Sequence, residues 1–442
     1  MNAALDNILS HYRRFAASAD YAGLPDSQQT AAAALHRLPL PTRRDESWRY
    51  TPLPAVLEHP FQPIALEDDL LTPDDVEQLR LTPADSPRVV MLNGFFIPEL
   101  STIPDDGSVE ILPLNAALRD LSSDAFTRIG QLSGTRQHLF TALNTASLGE
   151  GVYVRVSAGT VLAKPLEVLH VSISFESEFI AQPRLLVVLE AGAQATLVEQ
   201  YAHLSDTLCL NNGVVEVFLE AGAQLSHPRL QHESLRTRHL SSLYLRQAAE
   251  SHYQGTTLAF GGAWSRTEFH VDFSGTGAHC DLNGFYLAGD KQSHGMHVDV
   301  IHNLPNCTSR ERFKGILYGN STAVFDGNIL VQADAQKTDA RLSNDNLLLS
   351  RDAEINTKPR LEIYADDVQC SHGTTVGQLD PEMLFYLRAR GIPHEQAVTM
   401  ICMGFAGAII ATCEFETLEQ CANALLVKRL SKLVGLSHQN ID

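Results

Sequence analysis

Apolar and polar residues alternate over most of the middle of the chain. In the segment GVYVRVSAG, Val152, Val154 and Val156 would share one face of an extended strand, with polar positions between them. Short stretches of this kind follow one another from about residue 149, with turn residues between them and no long helical segment. The period of two therefore predicts a β domain over residues 149–379.

A repeat of about 30 residues runs through this domain. The segment LEAGAQATL places its glycine at 192, LEAGAQLSH places its glycine at 222, and the looser copy VSAGTVLAK has Gly159. Further turn residues follow so that alternate members are 27 to 33 residues apart: Gly262, Gly277, Gly289, Asn306, Gly319, Asp334, Asp352 and Asp367. The repeat predicts a β-solenoid in which each repeat forms one turn of the coil, and each half of a repeat contains one strand and one tight turn. A large antiparallel β-sandwich is the alternative, and the spacing leaves the handedness of the coil open.

The first 148 residues are predicted to form a helical and irregular region. Asn2–Ala16 has helical apolar spacing, and Asp26 is placed to begin an alanine-rich helix that reaches Leu38. In RVVMLNGFFIPEL, two apolar runs flank Asn93-Gly94, which is a strong hairpin signal. The prediction for residues 1–148 is thus helices, irregular chain and one small hairpin.

Helical periodicity returns at residue 380 and predicts a C-terminal helical domain over residues 380–442. Asp380 and Pro381 form a good helix start, and Gly391 a stop. The second helix contains MICMGFAGAII, whose small and apolar residues indicate a helix that is fully buried or packed on a partner. Near the end of the third, amphipathic helix lie Lys428 and Arg429, which are typical of a solvated helix end or, less often, of a docking patch.

The charge balance restricts the partners that the chain can have. It has 33 Lys and Arg against 52 Asp and Glu, a formal net charge of −19, which disfavours general binding to nucleic acid or anionic membranes. The longest near-apolar run, Met400–Ala411, is about six residues short of a membrane span. The N-terminus lacks the layout of a secretory signal. We therefore predict a folded cytoplasmic protein without nucleic-acid or membrane partners.

Seven cysteines are scattered along the chain, and no two form a CxxC pair. The odd number and wide spacing argue against a disulfide framework and against a preformed four-cysteine metal site. The cysteines are interpreted as reduced thiols, and no tightly bound cofactor is predicted.

Familiar catalytic motifs are absent from the sequence: it contains no GxxxxGK[ST], GxSxG or HExxH. In SHGMHVDVIH, His297 and Asp299 would point to the same face of a strand and could bind a metal, whereas His302 would point to the opposite face. A structural polar ladder is the more common role for such residues. A metal-dependent or carbohydrate-active β-helix enzyme remains the alternative function from these residues.

Cys370 and His372 are two residues apart in DDVQCSHG, so in extended chain they also share a face. An imidazole beside a thiol favours the thiolate, which is the form that binds metal or transfers sulfur. A buried, inert cysteine is the alternative.

Several long motifs together resemble the SufB/SufD family of iron–sulfur cluster assembly proteins. They are RRDESWRYTPL, HVDVIHNLPNCTSRERFKGIL, ARLSNDNLLLSRDAEINTKPRLEI and LEIYADDVQCSHGTTVGQLDPEMLFYLRARGI, in the right order over most of residues 43–412. Within the family the SufD branch is the better match, because the chain lacks N-terminal CxxC cysteines and carries the Trp48-Arg49-Tyr50-Thr51 word and the MLNGFF hairpin.

The resemblance implies a right-handed parallel β-helix flanked by N-terminal and C-terminal helical regions. It also implies a non-catalytic scaffold subunit of a SufBCD-type complex, which pairs with a SufB-like subunit through the β-helices. A SufC-like ATPase, which would hydrolyse the ATP, is expected on the C-terminal helices. The docking candidates are Arg388, Arg390, Met403, Phe405, Lys428 and Arg429. A homodimer of the chain alone, or a SufB-like homo-oligomer, is a further alternative.

Cys370 and His372 match the CxHG word of the family, which implies a place at the SufB–SufD interface where a cluster forms. His372 is then the candidate ligand of a transient cluster shared with SufB, and Cys370 is a ligand, a sulfur relay or a packing residue. Thr374 stands where alanine is common in the family. Reduced flavin is associated with such complexes, but the sequence contains no flavin motif.

Overall fold

A computed structural model describes most of the chain. The described residues are 26–437 without 36, 52, 54–58, 60, 65, 67–69, 135–137, 149–150, 175–177 and 207, and for 432–437 the backbone alone. The predicted helix Asn2–Ala16 lies outside the described residues.

Twenty-one strands account for most of the regular structure. In chain order they are β1 Gln62–Pro63, β2 Arg88–Leu92, β3 Phe95–Phe96, β4 Val109–Pro113, β5 Val152–Val156, β6 Leu166–Ser172, β7 Phe179–Ala181, β8 Arg184–Leu189, β9 Gln194–His203, β10 Cys209–Leu219, β11 Gln224–Gln231, β12 Arg238–Gln247, β13 His252–Ala259, β14 Trp264–Phe273, β15 His279–Ala288, β16 Ser293–His302, β17 Thr308–Leu317, β18 Thr322–Val331, β19 Asp339–Leu348, β20 Glu354–Ile363 and β21 Gln369–Gly377.

In chain order, the helices come before β5 or after β21. They are α1 Asp26–Leu35, α2 Pro73–Gln78, α3 Leu114–Ala117, α4 Asp124–Arg128, α5 Leu139–Ala146, α6 Pro381–Ala389, α7 His394–Ile410 and α8 Glu416–Ser437, with short 3₁₀ turns at Glu46–Trp48, Pro98–Leu100 and Ala411–Cys413. The alanine-rich helix begins at the predicted Asp26 and ends three residues before Leu38. Asp380 caps α6 by accepting the Glu382 N–H at 2.9 Å, as the sequence predicts.

From β5 onward the strands wind into a parallel β-helix of about eight turns. One sheet, called sheet A, contains β5, β8 and the even-numbered strands from β10 to β20, and sheet B contains β6 and the odd-numbered strands from β9 to β21. Strands of successive turns pair in parallel, so that Arg238 lies beside Trp264 and Val152 beside Leu185, at chain separations of 26 and 33 residues. The solenoid prediction is confirmed, and the β-sandwich alternative is wrong because neighbouring strands of the coil are parallel.

The glycines of the sequence repeat stack on one another at one corner of the coil. Gly159, Gly192 and Gly222 have φ values of 68–69°, a conformation that favours glycine, and the Gly192 N–H donates to the Ala221 carbonyl at 2.9 Å. In the next turn Glu250 adopts the same left-handed conformation. Glycine therefore recurs in the sequence because the backbone at this corner adopts a left-handed conformation in successive turns.

Strands from the N-terminal region extend both sheets at the first turn. The predicted hairpin forms between β2 and β3, with Asn93 and Gly94 both at positive φ. Its strand β2 also pairs in parallel with β6 of sheet B, while β4 pairs antiparallel with β5 of sheet A. One end of the coil is thus covered by chain from the N-terminal region.

The C-terminal helices pack on the outer face of sheet B. One side of α7 joins an apolar cluster with Leu258, Phe285 and Ile316 of the sheet. The helix is not fully buried, because Met400 on its other side is 52% exposed. The alternative expectation, that it packs on a partner, stays a prediction. Within the described residues, His394–Cys413 is the single helical segment with the length and apolar composition of a membrane span, a property that core helices share.

Candidate functional site at the open end of the β-helix

The last turn of the coil is uncovered. β20 and β21 end their sheets, and within the part of the chain that the structure describes each pairs with only one other strand. All residues of β21 except Cys370 are exposed, whereas the corresponding positions of inner turns are mostly buried. The coil therefore ends in a free strand edge and an open interior.

Cys370 and His372 lie on the inward face of β21. Parallel pairing places Cys370 in one column with Ala340, Ser309 and Cys280, all buried inside the coil. His372 continues the neighbouring column of Leu342, Glu311 and Leu282. The prediction that Cys370 and His372 share a face agrees with this register, and the structure adds that this face closes the interior at its open end.

The Cys370 thiol is not activated in the isolated chain. The side chain is half-buried, and this burial raises the pKa of the thiol, as do the negative charges of Asp339 and Glu311. Within the described residues no hydrogen bond joins Cys370 to His372, which is itself exposed. Formation of the Cys370 thiolate would therefore require a partner that brings positive charge or a metal close to the sulfur.

Polar groups continue into the interior behind Cys370. Glu311 and Ser309 point inward from β17, and His302 reaches Ser309 Oγ at 3.0 Å. The carboxyl group of Glu311 is fully buried, and this burial raises its pKa to about 8, although the neighbouring Ser309 hydroxyl opposes the shift. Sequence reasoning missed this group, although Glu311 lies two residues from both Ser309 and Phe313 and so shares their inward face of the strand.

His297 and Asp299, the metal-binding pair of the alternative enzyme function, make hydrogen bonds to other residues of the chain. His297 lies on the outer face of sheet A, where Arg266 Nη1 donates to its Nε2 at 2.7 Å and Thr51 Oγ1 lies 3.4 Å away. Asp299 accepts from Asn328 at 3.1 Å, and His302 points to the interior, as strand parity predicts. In the described parts, neither His297 nor Asp299 belongs to a group of three metal-ligating side chains.

The predicted docking residues divide into two groups. Arg388, Arg390 and Lys428 are exposed, whereas Met403 and Phe405 are partly buried against the cluster between α7 and sheet B. Arg429 also turns toward the β-helix, where it contacts Tyr318, the Phe260 carbonyl and Gln292. Lys428 and Arg429, which are adjacent in sequence, therefore do not form one exposed patch.

An exposed apolar patch on α6 and α7 was not identified from the sequence. It consists of Met383, Phe385, Tyr386 and Met400, which are 48–74% exposed. The segment PEMLFYLRA contains more apolar residues than one buried helix face needs, and Leu384 alone of these packs inward on the α7 cluster. This set of exposed apolar side chains is here called the α6 patch, and exposed apolar side chains that are close in the chain are typical of protein-binding surfaces.

Comparison with known proteins agrees with the family that the sequence motifs indicate. Residues 172–405 match the family model described as the SufBD core domain of the SUF system for FeS cluster assembly, and residues 5–168 match the SufBD N-terminal region.

Relatives of similar length are found in bacteria and plants. The iron–sulfur cluster assembly protein SufD of Escherichia coli is 33% identical over 92% of this chain and 93% of its own length. A SufBD family protein of Synechocystis is 32% identical over 90% of this chain and 89% of its own. The chloroplastic protein ABCI7 of Arabidopsis thaliana is 29% identical over 87% of this chain and 81% of its own length. The chain therefore belongs to the SufB/SufD family of iron–sulfur cluster assembly proteins, and within that family it is SufD-like.

Proposed function

We propose that this chain is the non-catalytic scaffold subunit of a SufBCD-type complex in the cytoplasm. It pairs with a SufB-like subunit at the open end of its β-helix and holds a transient iron–sulfur cluster there. A SufC-like ATPase docks on its C-terminal helices and hydrolyses the ATP. The observation that carries this proposal is the placement of Cys370 and His372 on the inward face of an uncovered last turn.

The free edge of β21 supports pairing with a second β-helix. It offers nine residues without proline, whereas Pro359 interrupts the edge of β20 by removing one backbone donor. An exposed, regular strand edge forms hydrogen bonds readily with another chain. We therefore assign the SufB-like contact to β21, and the apposed interiors would enclose the site.

His372 is the proposed cluster ligand of this chain. Its side chain is exposed in the isolated subunit and so is free to face the partner. The SufB-like subunit would supply cysteine and carboxylate groups to complete the ligand set. Cys370, with its raised pKa, is better suited to ligation or sulfur relay after assembly than to nucleophilic chemistry in the free chain.

The α6 patch is the proposed centre of the ATPase contact. Its exposed apolar side chains lie beside the basic Arg388 and Arg390, and the Arg390 guanidinium lies 4.4 Å from the centre of the Tyr386 ring. Aromatic residues and arginine are the residue types that dominate binding energy in protein interfaces. This assignment keeps Arg388 and Arg390 as docking residues and adds Phe385 and Tyr386.

Co-purification tests the proposed complex. We expect the chain to form a stable ternary complex when co-expressed with a SufB-like and a SufC-like subunit. A double substitution, Phe385→Ala with Tyr386→Ala, should weaken binding of the SufC-like subunit by roughly 30-fold or more, about 2 kcal/mol, and leave the SufB-like subunit bound. Leu121→Ala, at an apolar residue that is 60% exposed in the N-terminal region, is the matched control. Failure of the wild-type chain to form any such complex would refute the proposed function.

Substitution of His372 tests the site. His372→Ala in the full complex should strongly lower the amount of iron–sulfur cluster assembled, measured by absorbance and by iron and sulfide content. Subunit composition should not change, because the side chain is exposed in the isolated chain. His394→Ala, which removes an exposed histidine on α7, is the control. If cluster assembly is the same in His372→Ala and wild type, the ligand role is wrong.

A further inference from the structure

Two histidines and an aspartate meet on the outer face of sheet B, away from the open end. His252 and His279 begin β13 and β15 and are direct partners in the parallel register. Their rings lie with centroids 4.5 Å apart and planes inclined by 30°. Asp281, two residues further along β15, points to the same face, and its Oδ2 lies 2.9 Å from His279 Nε2.

The three side chains together have the dimensions of a small metal site. One ligand atom from each lies within 4.8 Å of the other two. With metal–nitrogen and metal–oxygen bonds of about 2.0–2.2 Å, three ligand atoms on one side of a tetrahedral ion lie roughly 3.3–3.6 Å from one another. A side-chain movement of less than about 1 Å would therefore bring all three to bonding distance.

The neighbouring cation that could neutralise Asp281 is engaged elsewhere. Register places Arg310 beside Asp281, but its guanidinium is paired with the Asp339 carboxylate and carbonyl. Arg312 donates from Nε to Asn283 Oδ1 at 2.9 Å. The carboxylate of Asp281 is thus directed to the histidine pair.

Solvent reaches the cluster through an adjoining groove. A cavity of about 280 Å³ extends from His252 across Gln224 and Gln194 to Val161. Next to His252, Gln254 donates to the Thr412 carbonyl, so the groove borders the C-terminal helices. The site is separated from Cys370 and His372 by β17 and β19, and its chemistry is independent of the open end.

We propose that His252, His279 and Asp281 bind one divalent transition-metal ion of the Zn²⁺ or Fe²⁺ class. Two imidazoles and one carboxylate on a single face would occupy one side of the ion and leave the other positions to water or an exogenous ligand. This donor set suits borderline metals and not Ca²⁺ or Mg²⁺, which prefer oxygen ligands. The proposal does not depend on the proposed role in cluster assembly.

Metal titration of the full-length chain tests the proposal. After removal of metal with EDTA, Zn²⁺ is titrated in competition with a chromophoric chelator, and Co²⁺ is used as a spectroscopic probe. We expect one equivalent of Zn²⁺ to bind, and a Co²⁺ spectrum with d–d bands and no thiolate-to-cobalt charge-transfer band. Anaerobic Fe²⁺ added in competition with Zn²⁺ then ranks the two metals.

Matched variants locate the bound ion. His279→Ala and the nearly isosteric Asp281→Asn should each weaken binding of this equivalent by at least 10- to 100-fold, because each removes a direct ligand. His372→Ala and His394→Ala should retain it. Three results would each overturn the assignment and leave the cluster as an ion pair only. The folded Asp281→Asn variant could still bind its equivalent of metal, or the wild-type chain could bind none. The third is a thiolate-to-cobalt band that disappears with His372→Ala or Cys370→Ala.

Discussion

Replacing Glu216 by alanine is expected to lower the free energy of unfolding by about 3–5 kcal/mol. Glu216 is fully buried on β10, where its carboxylate pairs with the equally buried Arg184 of β8. It also accepts backbone N–H groups of Gly130, Leu132 and Ser133 at 2.8–2.9 Å. Its removal would leave a buried guanidinium without its counter-charge and three buried N–H groups without an acceptor.

This effect should be visible as a shift of the urea midpoint. The control is Asp85→Ala, which removes the partner of Lys164 from an ion pair with both side chains about half exposed or more. Exposed pairs contribute only about 0–1 kcal/mol, so the control should be nearly silent. A loss of less than about 1 kcal/mol for Glu216→Ala would mean that the N-terminal region is not held to the β-helix through this carboxylate.

Glu311 is expected to make the chain less stable as the pH rises. Burial raises the pKa of this carboxyl to about 8 in the folded state, whereas an unfolded glutamate has a pKa of about 4.3. Between these values the folded chain holds one proton more than the unfolded chain, so Glu311 lowers the free energy of unfolding by up to about 1.4 kcal/mol per pH unit. The penalty is complete above the folded pKa and absent below the unfolded one.

Glu311→Gln isolates this contribution, because glutamine has nearly the same shape and does not titrate. The variant should be more stable than wild type by a few kcal/mol at pH 8.5, and the difference should shrink to about 1 kcal/mol or less near pH 4.5. Denaturant unfolding measured at several pH values between these limits gives the comparison. The exposed Glu362→Gln is the control. Parallel pH curves for Glu311→Gln and wild type would contradict the prediction.

Local sequence patterns were sufficient for the elements themselves. The Asn93-Gly94 hairpin, the Asp380 cap and the glycine corners at 192 and 222 all depend on conformational preferences of a few neighbouring residues. Strand parity correctly placed Cys370 with His372, because side-chain direction alternates along any extended strand.

The location of the site could not be predicted from the alternation of side chains along a strand. Alternation shows which residues share a face but not which face is inside, so the inward direction of Cys370 and His372 required the columns of the coil. The sequence likewise could not show that β21 pairs with β19 alone among the described strands and so ends its sheet. Both properties arise from pairing between residues about 30 positions apart.

Contacts between distant segments decided the remaining features. Arg429 lies next to Lys428 in the sequence, yet it is held against Gln292 and Tyr318 of the coil, and Glu216 binds backbone groups more than 80 residues away. The sequence by itself determined the repeat, the strand faces and the family of this protein, because these follow from local periodicity and short motifs. Only the tertiary structure decided which end of the coil is open, which charges are buried and where His252 meets His279, because those depend on which turns of the chain become neighbours.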